Sequence, residues 1–303
     1  MRNATVRQLQ IFSMAATHLS FARAAEKLHL THAAVSLQIK QLEEVAGMEL
    51  FERIGKRVFL TEAGEIMLRL ARQTLQSFKE TDESLSALKG LKGGRIAVAV
   101  VSTAEYFVPG LLAEFHRAQP DVKVRLVIDN REVVTRLIAQ NEVDVAIMGR
   151  SPSGMDTEAV AFAPHPLVII AAKDHPMALF DRVPVDALAA EYLIVREAGS
   201  GTRSAMEGFF ADHGLVLRVG LELSSNEAIK QAVVAGLGIS FISRHTLGLE
   251  LKSGRLVILN VDGTPVMRRW NIVRHQSKQL TPALGAFWAF ILAFAPDYLN
   301  ELG

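Results

Sequence analysis

Over the first 60 positions, apolar residues recur at helical spacing and then give way to a turn-flanked alternation. Within 6–18, Leu9, Phe12 and Ala16 share one helical face. Ser20 precedes a short helical run, Phe21 to Leu28, and Thr31 precedes a second that extends to about Val45. Ser and Thr at those places are N-cap residues. The few residues between the runs make a tight helix-turn-helix. Next comes LFERIGKRVFLT, 50–61, whose apolar ends flank Gly55-Lys56, a hairpin pattern. Three helices and a hairpin predict a winged helix-turn-helix over 1–60.

Thr61 then caps a long helix, with Glu62 and Glu65 in the first turn, where the helix dipole favours acids. Met67, Ala71, Thr74, Phe78, Thr81, Leu85 and Leu88 follow steps of four and three, a heptad seam. Such a stripe packs either on a partner helix or on its own domain. No other core lies nearby in sequence, which favours a dimer seam carried by Met67, Ala71, Phe78 and Leu85. Gly90, Gly93 and Gly94 break the helix, so the linker spans 61–90.

From Arg95 onward, strands and helices alternate. IAVAVV (96–101), VKVRLVI (122–128), VDVAIM (143–148), LVIIAA (167–172), YLIVR (192–196), VGLEL (219–223) and ISFI (239–242) read as strands. Helices follow Ser102 and Asn130 and run from about Thr202 to His213 and Asn226 to Ala235. This alternation predicts an α/β fold with largely parallel sheets. The break at Ala163-Pro164-His165-Pro166 divides it into two lobes. The apolar run Ala283–Ala295 is shorter than the roughly 20 residues of a spanning helix, and Pro296 closes it. It reads as a buried helix, and it lacks the basic face of a membrane-surface one.

Composition narrows the picture. Half of the 303 residues are hydrophobic and 21% are charged, which excludes a disordered chain. There is no cysteine, so disulfides, thiolate catalysis and Cys-based zinc sites are excluded. The N-terminus has no apolar signal region, and a cytoplasmic protein is expected. The net charge of +1 gives no reason to invoke a polyanion. Its distribution does. Residues 1–60 carry eight basic and five acidic side chains, a net +3, against 25 basic and 27 acidic elsewhere, a net −2. A basic head on a slightly acidic body is the layout expected when only the head meets nucleic acid.

Residues 20–64 resemble the DNA-binding head of LysR-type transcriptional regulators. The A-A-E-x-L of the second helix, the A-x-S-x-x-I-x-x-L-E of the third, the L-F-E-R of the wing and the L-T-E-A-G of the linker carry the resemblance. It extends over the whole chain. RLIAQNEVDVAIMG, GSGTRSAMEGFF, SSNEAIKQAVVAGLGISFISRHTLGLEL and VSTAEYFVP resemble the branch that controls Calvin-cycle carbon-fixation operons. The resemblance implies a long dimerising helix and a two-lobed, periplasmic-binding-protein-like α/β effector domain over 91–303. Lobe I would span about 93–164 and 268–303, lobe II about 165–267. It implies a dimer of dimers on double-stranded promoter DNA, with RNA polymerase as a further partner and no membrane. It also implies a small-molecule effector between the lobes: ribulose bisphosphate, another phosphometabolite or NADPH. The alternative is a LysR-type regulator of another metabolic operon with a different effector.

In the third helix Val35, Ile39 and Leu42 lie on one side, which assigns them to the core. Ala33, Ser36, Leu37 and Lys40 fall on the other and can enter a major groove. Ser36 can bond a base edge or phosphate, and Leu37 suits a thymine methyl. Thr31 and His32 stand at the helix N-terminus, which favours phosphate. Lys40, Arg53, Lys56 and Arg57 would fix register on the backbone. His32-Ala33 replaces the Gln-Pro pair common in the family, and Leu37 stands where many members have Arg or Met. Base preferences therefore do not transfer, and His32 and Leu37 also read as plain solvent-facing residues.

In the body, ligands of doubly wound domains sit at strand C-termini beside helix N-termini. Ser102 and Thr103, Thr202 and Arg203, and Asn226 and Glu227 follow strands and offer donors, with Arg203 as a bidentate fork. Asn130 and Gly149 also end strands. Each can equally be an ordinary strand-to-helix loop. No GxxxxGK[ST], GxGxxG or GxSxG motif occurs, so no enzyme is expected. His29 and His32 are close but lack a third ligand, so no metal is expected. A solute-binding protein would match the body without the basic head. A DNA-architectural protein would match the head without needing two lobes.

Overall fold

The computed structural model describes residues 4–55, 57–88 and 93–302, with side chains for all of these except 83, 84, 86–88 and 302. Lys56, Gly90 and the Leu88 side chain lie outside what is described. The chain forms two compact units, one built on Met1–Leu91 and the other on Lys92–Ala139 and Val143–Gly303.

The first unit comprises α1 (Val6–His18), α2 (Phe21–Leu28), α3 (His32–Ala46), strands β1 (Phe51–Ile54) and β2 (Arg57–Leu60), and α4 (Glu62–Leu88). Side chains close the helix starts. Thr5 and Gln8 form a capping box, Ser20 Oγ accepts from the Arg23 amide, and Thr31 Oγ1 accepts from the Ala34 amide. Left-handed residues Leu19, His29 and Gly47 end the three helices. β1 and β2 pair antiparallel from Phe51↔Leu60 to Ile54↔Arg57, leaving two residues for the turn. Gly55 takes the positive φ, +64°, that such a turn demands. Thr61 Oγ1 donates to the Glu49 carbonyl and accepts from the Gly64 amide, tying the wing to α4. Gly64 has to be glycine, because a Cβ there would come within 2.1 Å of the Leu50 carbonyl oxygen.

Phe12, Val35, Ile39, Leu42 and Leu50 centre the core of this unit, with Phe51 edge-on to Phe21. Met67, Leu68 and Ala71 of α4 are buried in the same core. This corrects the seam predicted above. At its N-terminal end α4 is already partnered by its own domain, so Met67 and Ala71 are not available to a second chain. Phe78 and Leu85, 57% and 51% exposed, remain so, as do Ile66 and Leu70.

The second unit continues with β3 (Gly94–Val101), a 3₁₀ turn at Ser102–Ala104, α5 (Val108–Ala118), β4 (Val122–Asp129), α6 (Arg131–Ala139), β5 (Val145–Met148) and β6 (Thr157–Ala172). Then come β7 (Leu193–Arg196), α7 (Gly201–Asp212), β8 (Val219–Leu223), α8 (Asn226–Val234), β9 (Ile239–Ser243), α9 (Gly248–Lys252), β10 (Leu256–Leu259), β11 (Val266–His275) and α10 (Pro282–Leu302). The strands form one sheet in the order β4-β3-β5-β11-β6-β9-β7-β8, with β10 also on β6.

The sheet is parallel only at its two ends. β6 and β11 run antiparallel to each other and to β5, β9 and β10. The segment 163–166, expected as a break, lies inside the 16-residue strand β6, where His165 pairs with Arg268. Two prolines fit there because β11 is the only named strand beside that stretch, and their missing N–H groups, two residues apart, face the same side. β6 and β11 therefore cross from one core to another. Phe162, Ala163, Trp270 and Ile272 belong to the first lobe's core, and Leu167 to Ala171 to the second's.

Among the described residues, α10 is the one helix long and apolar enough to cross a membrane. Leu284, Phe287, Ile291, Ala295 and Leu299 pack it into the core of the first lobe. It runs through Pro296 to Leu302 instead of stopping there. Burial of Leu299 beyond the proline offsets the lost backbone hydrogen bond.

Candidate DNA-reading surface and ligand cleft

The α3 face opposite Val35, Ile39 and Leu42 presents His32, Ala33, Leu37 and Lys40 to solvent, with Ser36 half-buried among them. Leu37 is 55% exposed. Thr31 is also exposed, and its hydroxyl is engaged in the cap. Arg53 and Arg57 extend from the wing, and the Arg53 guanidinium lies 5.7 Å from the Phe21 ring centroid. Lys56 is outside the described residues. Lys40, Arg53 and Arg57 are thus exposed cations on α3 and the wing strands, beside an α3 face that carries the small residues Ala33 and Ser36.

In the second unit, strand ends converge on a cleft, partly open to solvent, with about 450 Å³ of empty space. Of the residues predicted from sequence, Ser102, Thr103, Asn130, Gly149 and Thr202 line it. Arg203, Asn226 and Glu227 do not. α7 turns Thr202 inward and carries Arg203 away, since successive helical residues point 100° apart. Arg203 bonds Glu207 Oε1 at 2.8 Å, Glu222 Oε2 at 2.6 Å and the Arg196 carbonyl at 2.9 Å. Asn226 is buried, accepting from Arg196 Nη1 at 2.7 Å and donating to the Ser102 carbonyl at 3.2 Å. Glu227 Oε1 accepts from the Tyr106 hydroxyl at 2.6 Å and pairs with Lys230 Nζ at 2.6 Å. Asn226 and Glu227 thus tie the lobes together.

The cleft also holds what the sequence reading missed: Arg131, Arg150, Arg196 and Arg268, with His165 beside them. Arg196 ends β7, Arg131 opens α6, Arg150 follows β5 and Arg268 sits on β11. Arg196 is buried and bonded through all three of its side-chain nitrogens. It pairs with Glu197 through Nε at 2.7 Å and Nη2 at 3.0 Å, and bonds Ser102 Oγ at 3.0 Å. Arg131, Arg150 and Arg268 make no ion pair among the described residues. Burial lowers the pKa of Arg268, and the charges of Arg150 and Arg131 lower it further. His165 stacks on Trp270 with ring centroids 3.8 Å apart, and its Nε2 lies 3.0 Å from Ser243 Oγ. Its Nδ1 is buried without a partner. Burial, the neighbouring His245 and Arg268 lower its pKa to about 3, so the ring is neutral near pH 7. A wall with three guanidiniums that make no ion pair, Arg150 exposed and Arg131 and Arg268 half-buried, together with hydroxyls and the N-terminus of α7, suits a small polyanion. No cluster of potential metal ligands occurs among the described residues.

Residues 6–65 match the bacterial regulatory helix-turn-helix protein, lysR family, and residues 89–296 match the LysR substrate binding domain. The chain is 45% identical over 299 residues to a RuBisCO operon transcriptional regulator from Allochromatium vinosum, covering 99% of both chains. It is 46% identical over 290 residues to the HTH-type transcriptional regulator CbbR of Rhodospirillum rubrum, covering 96% of each. The Synechocystis PCC6803 CcmR regulatory domain, solved in complex with 2-PG, is 42% identical with a TM-score of 0.64, over 67% of this chain and 97% of that one. With both segments matched and full-length relatives this similar, the chain belongs to the LysR family of bacterial helix-turn-helix transcriptional regulators.

Proposed function

We propose that this regulator controls carbon-fixation genes in response to a small phosphorylated metabolite held in the cleft between its lobes. The observation that carries the effector reading is the set of three unpaired guanidiniums in that wall. The gene assignment is supported by the full-length relatives named for the RuBisCO operon and as CbbR. The CcmR domain, solved with 2-PG, supports a phosphorylated ligand.

In this reading α3 enters a major groove through Ala33, Ser36 and Leu37. Thr31, His32, Lys40, Arg53, Lys56 and Arg57 lie along the backbone. Two chains pair through the exposed part of α4, where Phe78 and Leu85 stand, so paired heads read two half-sites. Pairing makes the second head's binding intramolecular. Two such dimers assemble, and the protein works in the cytoplasm with RNA polymerase as its downstream partner. The effector changes the arrangement of the heads only as far as it binds the two arrangements unequally.

The test is footprinting of the promoter of a neighbouring carbon-fixation operon with and without 2-PG, ribulose bisphosphate and NADPH. A footprint that shortens, extends or changes its bend with one of them is expected. Protection that none of them alters would point instead to a LysR-type regulator of another metabolic operon.

A further inference from the structure

The charge in the cleft is unevenly divided. Around Arg196 the carboxylates outnumber the cations. Glu197 neutralises Arg196 directly, and Glu227 stands beside Lys230, which also pairs with Glu250. Glu105 is close enough that burial and then the Glu227 charge raise its pKa, while Arg196 pulls it down. All three Arg196 side-chain nitrogens are already bonded, leaving one Nη1 hydrogen, and Ser102 Oγ accepts from Arg196 while keeping its own O–H to donate. Arg131, Arg150 and Arg268 present the opposite situation. Among the described residues their one side-chain hydrogen bond is a long contact, 3.4 Å, from Arg131 Nη2 to the Ser151 carbonyl. The carboxylate of Glu132, next in sequence, lies against Gly199. Arg150 and Arg131 both repel Arg268 electrostatically, and no anion offsets this.

We infer that the effector's phosphate is held by Arg131, Arg150 and Arg268, and not by Arg196 or the N-terminus of α7. This rests on the reading of the cleft as the effector site. Magnitudes decide between the two places. A helix N-terminus presents about half a positive charge, and the start of α7 already has the Glu132 carboxylate against Gly199 and the Arg131 side chain against Gly201. The arginine trio presents three whole charges with none opposed, and a dianion relieves their mutual repulsion as it binds. The hydroxyls of Thr103 and Thr202 then remain for the ligand's second polar group, which carries at most a single charge. The ligand class is a phosphomonoester whose other end is hydroxylic or singly charged. Two of the three arginines come from lobe I segments and Arg268 from the crossing strand β11. Phosphate binding therefore draws on the first lobe and the strand that joins it to the second.

Calorimetry on the full-length protein with inorganic phosphate and, separately, with 2-PG tests this. Arg150→Gln and Arg268→Gln are each expected to weaken both probes by about tenfold or more. Arg268→Lys should recover part of the loss, which separates lost charge from a damaged fold. Thr202→Val should change inorganic phosphate by less than about twofold while weakening 2-PG. The reverse pattern, with phosphate lost in Thr202→Val and kept in both Gln variants, overturns the placement and leaves the cleft as the effector site. If wild type binds neither probe, the placement on Arg131, Arg150 and Arg268 fails; if it binds both with affinities that no cleft variant changes, the cleft fails as the effector site as well.

Discussion

The face of α3 with its wing and the wall of the cleft are both basic surfaces, proposed to meet DNA and a small anion, yet they are built differently. In the head, Lys40, Arg53 and Arg57 stand in water around small or apolar residues. In the cleft, Arg196 is buried and neutralised, and Arg268 is half-buried beside two like charges. Exposed cations gain affinity mainly by releasing counterions from DNA, a term insensitive to sequence and steeply dependent on salt. Enclosed cations lose hydration and face a fixed geometry, so they select the shape and charge of a small ligand and are screened less. Solvation separates the head's cations from Arg131, Arg196 and Arg268, while Arg150 at the cleft is exposed like those of the head.

Salt should expose this difference most strongly. Raising salt from about 50 to 200 mM is expected to weaken DNA binding about 10³–10⁵-fold if paired heads neutralise six to ten phosphates. Over the same range the affinity for 2-PG should fall far less. Equal slopes, measured by fluorescence anisotropy and calorimetry, would remove the distinction.

Next in size is the divided role of α4. Met67→Ala should destabilise the head by about 2–5 kcal/mol, because that side chain sits in the head's own core. Phe78→Ser should leave head stability within about 0.5 kcal/mol and lower the dimer fraction in sedimentation. Identical behaviour of the two variants would restore a continuous seam.

Acid should act on the cleft domain more than on the head's reading face. His165 and His245 have pKa values lowered to about 3 and about 4, chiefly by burial. Their folded forms stay neutral while the unfolded chain takes up protons as pH falls below about 6.5. Stability is thus complete above that pH and declines toward pH 4, by up to about 1.4 kcal/mol per pH unit for each ring. His165→Gln should flatten that decline in chemical denaturation series. An unchanged slope would show that the ring does not stay neutral.

The smallest effect belongs to Arg203→Ala. Its guanidinium serves two largely exposed carboxylates outside the cleft, a contribution below about 1 kcal/mol. The effector response of a promoter footprint should therefore persist. Its loss would return Arg203 to the ligand site.

Much of the head was legible in the sequence. Thr31 and Ser20 as caps, Val35, Ile39 and Leu42 as core, and the hairpin at Gly55 all depend on neighbours within a few positions. The cleft was legible only in part. Strand ends carrying Ser102, Thr103, Asn130, Gly149 and Thr202 could be found, because a strand-to-helix junction is a local signal. The side chains that give the cleft its charge could not. Arg268 lies on a strand, opposite His165 across a pairing between residues about one hundred positions apart. A run with two prolines read as a break between lobes; the two cores do part there, but within the single strand β6 that joins them.

Helix caps, faces and strand identities follow from the chain alone, since periodicity and capping act over one or two turns. Which arginine is spent and which is free, and which half of α4 is already covered, depend on partners brought together by folding. Arg196 and Arg203 show the physical reason. They lie seven residues apart, and both can fork onto an anion. Burial beside Glu197 and Asn226 occupies one, and 100° of helix rotation turns the other out to Glu207 and Glu222. Solvation and pairing are properties of a neighbourhood in space, and only the tertiary structure decides who the neighbours are.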